Sequence, residues 1–372
     1  MPDPSDTSRG GPAFGARELI ARAAGADLRA RTAMAAAIDD AFVAPDARLD
    51  DRTRAAFGTL IVQLASSIEG ELRDHAARLL TARGAAAIAD ALRRDDAPVA
   101  DRLIAAGLLR DVDFAGECLA RVRLELLAAA LPFDTAVEGA APSLLARLAR
   151  SSDRVAAAAA AAVLTGESAR RSAADGGATT GTGLPHPLHA RLVWWVAATI
   201  RERIAGDGRS DIANADRAIA EAALRNIAAE GDAERLEAAA MRLAQAIDAQ
   251  PAELPALVEE ALRDRRPLLF TALLARALGL DYDLAREMVI DPAGERLWLA
   301  LRALDLPRDL IARIGFLLSE ADPRRDVEAF ADMLDGVMAV ASDEARAAIA
   351  PMTLHPEFRA AMMALDIGGR RA

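Results

Sequence analysis

The chain has 372 residues, 53% of them apolar but only 3% aromatic, with alanine and leucine supplying most of the apolar share; this favours packed helices over strands, which draw on β-branched and aromatic side chains. A formal charge of −11 argues against a nucleic-acid or anionic-membrane surface, since both need a positive field. All 45 basic residues are arginine, and without lysine there is no Walker A phosphate loop, no Schiff-base lysine and no kinase-type ATP-anchoring lysine.

Residues 1–12 are polar and lack an apolar h-region, so a disordered N-terminus without a signal peptide is expected. Amphipathic patterns follow at 14–24 and 27–43. Asp50-Asp51 then opens a helix over 52–69 with Phe57, Leu60, Leu64 and Ile68 on one stripe. Gly70 reads as an interruption, after which Leu72, Ala76, Leu79 and Leu80 carry a helix to about Gly84. His75 lies beside Asp74 and four residues after Glu71; a helical histidine near carboxylates can serve as a general base, but a surface position explains it better.

Shorter helices are predicted at 85–93, 98–109, 114–130, 142–150 and 153–164. The restart at Asp95-Asp96-Ala97-Pro98 shows the recurring unit: an acidic N-cap, proline at the first helical position, then an apolar face. Cys118 is the only cysteine, which excludes an internal disulfide and a multi-cysteine zinc site; within a helical pattern it reads as a small buried residue.

Residues 172–187 form the one long breaker, rich in Gly, Thr and Pro, and are expected to be a flexible linker or exposed loop between N-terminal repeats (13–171) and C-terminal repeats (188–372). The glycines Gly176-Gly177 and Gly181-Thr182-Gly183 follow no strand and have no lysine, so they do not read as a phosphate loop. His186 and His189 are spaced for a metal, but only Asp175 is near enough in sequence to join them; loop and first-turn positions account for both. Adjacent helical residues point about 100° apart, so Trp194 and Trp195 do not easily share a narrow core stripe. Both indoles packed between helices is one reading. The other places one in the core and one at a groove or interface, which makes Trp194, Trp195 and Arg191 the candidate partner-binding residues.

In the second half Pro251, Pro267, Pro292, Pro307 and Pro323 each precede an apolar-periodic segment, with Asp291 and Asp322 expected as N-caps. The spacing suits helix pairs stacked as in HEAT or TPR repeats. Arginine clusters at Arg263/Arg265/Arg266 and Arg324/Arg325 carry Asp264, Asp322 and Asp326 among them, so local pairing is expected. Carboxylate pairs such as Glu259-Glu260 and Asp281/Asp283 read as solvated faces and caps, and Met352, Met362 and Met363 as core at helical spacing.

Two segments carry a family resemblance. Asp95 to Ala100 through Leu109 to Phe114, and Pro267 to Leu274 through Asp283 to Asp291 and on to Ala303-Leu304-Asp305-Leu306-Pro307, resemble recurring phrases of an uncharacterised alphaproteobacterial helical family, a domain of unknown function. The resemblance implies a HEAT-like fold and carries no activity.

The expectation is an all-α, HEAT-like α-solenoid of stacked helix pairs in two halves, cytoplasmic and non-catalytic, without cofactor or metal. It would act as a scaffold or regulator that binds a protein or peptide with basic features, and neither nucleic acid nor membrane. The alternatives are a self-assembling structural module, as homo-oligomer, and a hydrolase-type enzyme with a carboxylate site between the halves.

Overall fold

A computed structural model describes residues 49–94, 98–132, 142–174, 181–206, 212–231 and 234–369, with a few positions between 25 and 38. The patterns expected at 14–24 and across most of 27–43, the Asp95-Asp96-Ala97 turn and residues 175–180 lie outside the described residues. Among those described, all regular structure is helical and no strand occurs.

The helices in chain order are α1 (Asp51–Ala82), α2 (Ala86–Arg94), α3 (Val99–Ala105), α4 (Val112–Ala130), α5 (Leu144–Leu148), α6 (Arg154–Ala174), α7 (His186–Gly206), α8 (Ile212–Gly231) and α9 (Leu236–Ile247). They continue as α10 (Leu254–Arg263), α11 (Pro267–Leu278), α12 (Tyr282–Ile290), α13 (Glu295–Ala303), α14 (Arg308–Ala321), α15 (Val327–Ala339), α16 (Ser342–Ile349) and α17 (Pro356–Gly369). No helix among the described residues is long and apolar enough to cross a membrane.

The chain divides into two compact units, each discontinuous in sequence: Ala33–Arg123 with Ala157–Ala239, and Met1–Thr32 with Leu124–Ala156 and Ala240–Ala372. In the first, α8 packs along α1 and α7, and α2 and α3 close against both of those helices. Helix α1 runs unbroken through Gly70, which is exposed and meets no other group. Glycine weakens a helix interior by about 1 kcal/mol, too little to end one whose Phe57, Leu64, Ile68, Leu72, Ala76 and Leu80 are all buried. Asp50 starts it, accepting from the Thr53 amide at 2.8 Å. Gly84, at φ +78°, ends it in a Schellman turn, with the Ala85 amide reaching the Leu80 carbonyl at 2.9 Å.

In the second unit contacts run consecutively from α10 to α13 and between α14 and α15, but α10 also meets α14, and α13 meets α15 and α16. The proline punctuation is real, though its geometry differs from the expectation. Pro267 does stand at the first helical position of α11, whereas Pro98 and Pro307 are themselves N-caps in extended backbone. Asp291 and Asp322 end helices α12 and α14 instead of starting the next ones. Their carboxylates accept from the amides two residues on, Ala293 at 3.2 Å and Arg324 at 3.1 Å. An Asp-Pro pair forms this Asx turn readily because proline cannot continue the preceding ladder.

Around Trp298 the second unit interlocks tightly. The indole meets Phe330 at a 46° tilt with centroids 4.5 Å apart, and the Arg325 guanidinium lies over it at 6.0 Å. Gly294 and Gly315 admit these rings: a Cβ on Gly294 would lie 2.7 Å from the indole, and one on Gly315 2.0 Å from the Phe330 ring. Arg325 and Arg324 donate to the Val289 and Ile290 carbonyls at the C-terminal end of α12, where cations are favoured. Arg324 also pairs with Asp322 at 2.7 Å, as expected for that cluster, while Asp326 caps α15.

Candidate functional site

The three candidate partner residues lie on α7 and face two ways. Trp195 turns inward and meets Phe114 of α4 edge-on, with centroids 5.6 Å apart and ring planes at 77°. Trp194, one residue earlier, is 42% exposed. Arg191 precedes Trp194 by one turn and pairs with Asp111 at 2.5 Å and with Asp113 at 3.6 Å. Asp111 also caps α4, accepting from the Phe114 amide at 2.9 Å, so one carboxylate joins the N-terminal turn of α4 to α7. The exposed apolar residues Leu108 and Val112 stand beside that carboxylate in the chain. Trp194 therefore faces outward one turn from Arg191, whereas Trp195 is half-buried against the core residue Phe114.

A second constellation in the same unit was not foreseen as a group. Residues 181–184 enter the first unit and are held by charge. The Glu230 carboxylate, on the last turn of α8, accepts from the Thr182 amide at 3.0 Å, the Gly183 amide at 2.8 Å and the Thr182 hydroxyl at 2.9 Å. Successive amides turned towards one anion form a nest, which Gly183 permits by adopting φ +65°. His189, expected as an ordinary first-turn residue, is buried in the first turn of α7 with Nδ1 2.9 Å from the same hydroxyl. Since that hydroxyl donates to Glu230, the ring donates Nδ1–H to it. Burial pushes the His189 pKa down, against the opposing pull of Glu230 and Asn226.

Three arginines complete the surround. Arg121 of α4 donates to the Thr182 carbonyl at 3.0 Å, and Arg235, preceding α9, to the Gly183 carbonyl at 3.3 Å. Arg235 also pairs with Glu117 at 3.3 Å, and Arg170 of α6 with Glu237 at 2.9 Å. Burial would raise the pKa of Glu237, but Arg170 and Arg235 outweigh it and hold the carboxyl down to about 2. Arg121, Arg170, Arg235 and Glu230 border a cavity of about 150 Å³, with Leu60, Leu64 and Leu236 as its apolar wall.

The Thr182 hydroxyl beside His189 has the look of a nucleophile and base, but its amide surroundings are committed. The Thr182 and Gly183 amides serve Glu230, and the Leu184 amide faces the Thr182 hydroxyl at 3.3 Å. An oxyanion would need such donors to be free. Cys118 is buried, and burial pushes its thiol up to about 12, so it stays protonated and unreactive at neutral pH. His75 lies between the Arg78 and Arg225 guanidiniums at 3.5 and 3.3 Å. Burial lowers its pKa, and those two charges lower it further. The sequence shows Gly181-Thr182-Gly183 and His189 as separate features; Glu230, 48 residues beyond Thr182, is what assembles them, and no local spacing announces it.

A protein-family model described as an uncharacterised protein conserved in bacteria (DUF2336) matches residues 134–350. The matched stretch spans α5 to α16 and includes the 181–184 segment, Trp194, Glu230 and the Trp298 core. Of the two segments that carried the family resemblance, 267–307 lies within it and 95–114 outside it. No curated protein and no solved structure matches the chain. The chain belongs to the DUF2336 family of uncharacterised proteins conserved in bacteria.

Proposed function

We propose that the protein is a non-catalytic binding module whose partner is a protein segment presenting an apolar helix face flanked by basic side chains. The observation that carries this reading is the 42%-exposed indole of Trp194, one turn along α7 from Arg191, whose partner Asp111 is followed in the chain by the exposed Val112. Tryptophan is a preferred anchor at interfaces because it buries a large area with little loss of side-chain freedom. Asp113, 75% exposed on its side chain, and the overall charge of −11 supply the complement for basic neighbours on the partner. HEAT-like stacking and a cytoplasmic, soluble role go with this reading. The consecutive contacts of α10 to α13 favour pairwise stacking there, while the return of α8 onto α1 is more bundle-like.

The test is capture of native partners by the intact protein and by Trp194→Ala and Trp195→Ala variants, with melting temperature measured for each. The reading expects Trp194→Ala to lose a defined protein set at unchanged melting temperature, and a synthetic basic amphipathic helix to compete for the same surface. Identical capture by the wild type and Trp194→Ala would overturn it. So would light scattering that shows the surface consumed by a second copy of the chain.

A further inference from the structure

Helices α1 and α8 run antiparallel, since the partners on α8 fall in number as those on α1 rise, and their exposed seam carries three polar rungs. At one end the Asn226 side-chain amide donates to Glu71 at 2.6 Å, and at the other Arg83 pairs with Glu221 at 2.7 Å. The middle rung differs, because it joins base to base. Arg78 Nη2 and Arg225 Nη1 lie 3.5 and 3.3 Å from His75 Nδ1. Among the described residues that nitrogen is the only polar partner of either guanidinium. Asp74, one turn before Arg78, forms no ion pair with it.

We propose that this middle rung binds a doubly charged tetrahedral oxyanion of the phosphate class. The donors are present and uncommitted. Each guanidinium brings five N–H groups, and the single lone pair of a neutral imidazole nitrogen takes at most one of them. Both arginines are exposed, so turning a guanidinium from His75 to an anion breaks no ion pair and opens no core.

Charge points the same way. Two like charges on facing helices repel, and one dianion between them replaces that repulsion with two charge-assisted contacts. A monocarboxylate would neutralise only one of the two. The nearby carboxylates do not compete: Arg83 holds both oxygens of Glu221, and Asn226 donates to Glu71. The formal charge of −11 opposes any anion, but at 0.1 M salt exposed charges beyond about 10 Å are largely screened. The local arginine pair therefore decides. His75 reports on the site, because an anion there offsets the Arg225 and Arg78 charges that, after burial, lower its pKa, while Glu221 already opposes them.

Proton NMR of the full chain tests this by following the His75 ring, assigned with His75→Gln, at constant ionic strength. Orthophosphate and glycerol 3-phosphate are titrated as a free anion and an ester, with acetate as the monovalent control. Saturable binding of orthophosphate with Kd at or below about 1 mM is expected, with the His75 pKa rising above its value in chloride. Binding of the ester as well places recognition on the phosphoryl group, and its failure to bind restricts the site to the free anion. Arg78→Gln and Arg225→Gln should each weaken orthophosphate at least about ten-fold at unchanged melting temperature. Arg217→Gln removes the same charge from an exposed position two turns earlier on α8 and should bind like the wild type. The proposal falls if the His75 response to orthophosphate does not saturate by about 10 mM, or if acetate reproduces it. It also falls if the three arginine variants weaken binding equally. None of these outcomes depends on the Trp194 surface.

Discussion

The loop around Thr182 in the first unit draws in half-buried arginines, the core around Trp298 in the second a buried one, and they use them in opposite ways. In the first, guanidiniums and carboxylates pair around a loop and border a cavity. In the second, Arg325 lies over the Trp298 ring, which is set against Gly294 and Phe330, and donates to a helix end. There burial pushes Arg325 down to about 10, still charged at neutral pH, with Asp322 opposing the fall. A satisfied polar network fixes a loop in one arrangement, while interlocked rings stabilise by packing. The first borders open space; the second leaves none between its rings and glycines.

The largest effect should come from the packed region. Trp298→Ala removes a fully buried indole and should cost about 3–5 kcal/mol by chemical denaturation; a loss under about 1 kcal/mol would show that the rings are not interlocked. Next is Gly315→Ala, whose Cβ would meet the Phe330 ring at 2.0 Å. Overpacking of this kind costs about 1–3 kcal/mol, and Phe330→Leu in the same chain should recover part of it.

The polar region should respond more locally. Thr182→Val removes the hydroxyl between His189 and Glu230 and leaves buried groups unsatisfied, at a cost of about 1–3 kcal/mol. Faster amide exchange confined to residues 181–184 would report it, and uniform exchange throughout the unit would contradict a local latch.

The pH dependence is smaller again. The His189 pKa lies below its ordinary 6.5 because of burial, so the unfolded chain binds the proton first. Its contribution is intact above pH 6.5 and is lost as pH falls from there towards the folded value. Melting temperature between pH 7.5 and 5.5 should therefore fall more in the wild type than in His189→Gln, and equal slopes would remove His189 from the account. Glu237 acts in a separate window: its contribution is present above the ordinary 4.5 and is lost as pH falls to about 2.

Much of the helical content was legible because alanine-rich amphipathic stripes and capping residues act locally. Asp50 and Gly84 bracket α1 where their chemistry says they should. Gly70 does not interrupt α1, because a single glycine's local penalty is overridden by buried stripes on either side. Asp291 and Asp322 end helices where the sequence suggests starts, because an Asx turn and an N-cap use the same residue. Trp194 and Trp195 were separable in principle from their 100° offset, though not which of them faces outward; that depends on Phe114, about 80 residues away. The pocket is not legible because Arg121, Arg170 and Glu230 come from three separate helices, Arg235 from before a fourth, and no spacing links them.

The most direct test of the central claim compares Trp194→Ala with Trp195→Ala in both stability and partner capture. Trp194→Ala should keep the melting temperature and weaken the partner by about 2 kcal/mol, roughly thirty-fold, while Trp195→Ala lowers the melting temperature by losing its contact with Phe114. If both variants only lower the melting temperature, and capture falls in proportion to the folded fraction, Trp194 is a core residue and the binding surface is not there.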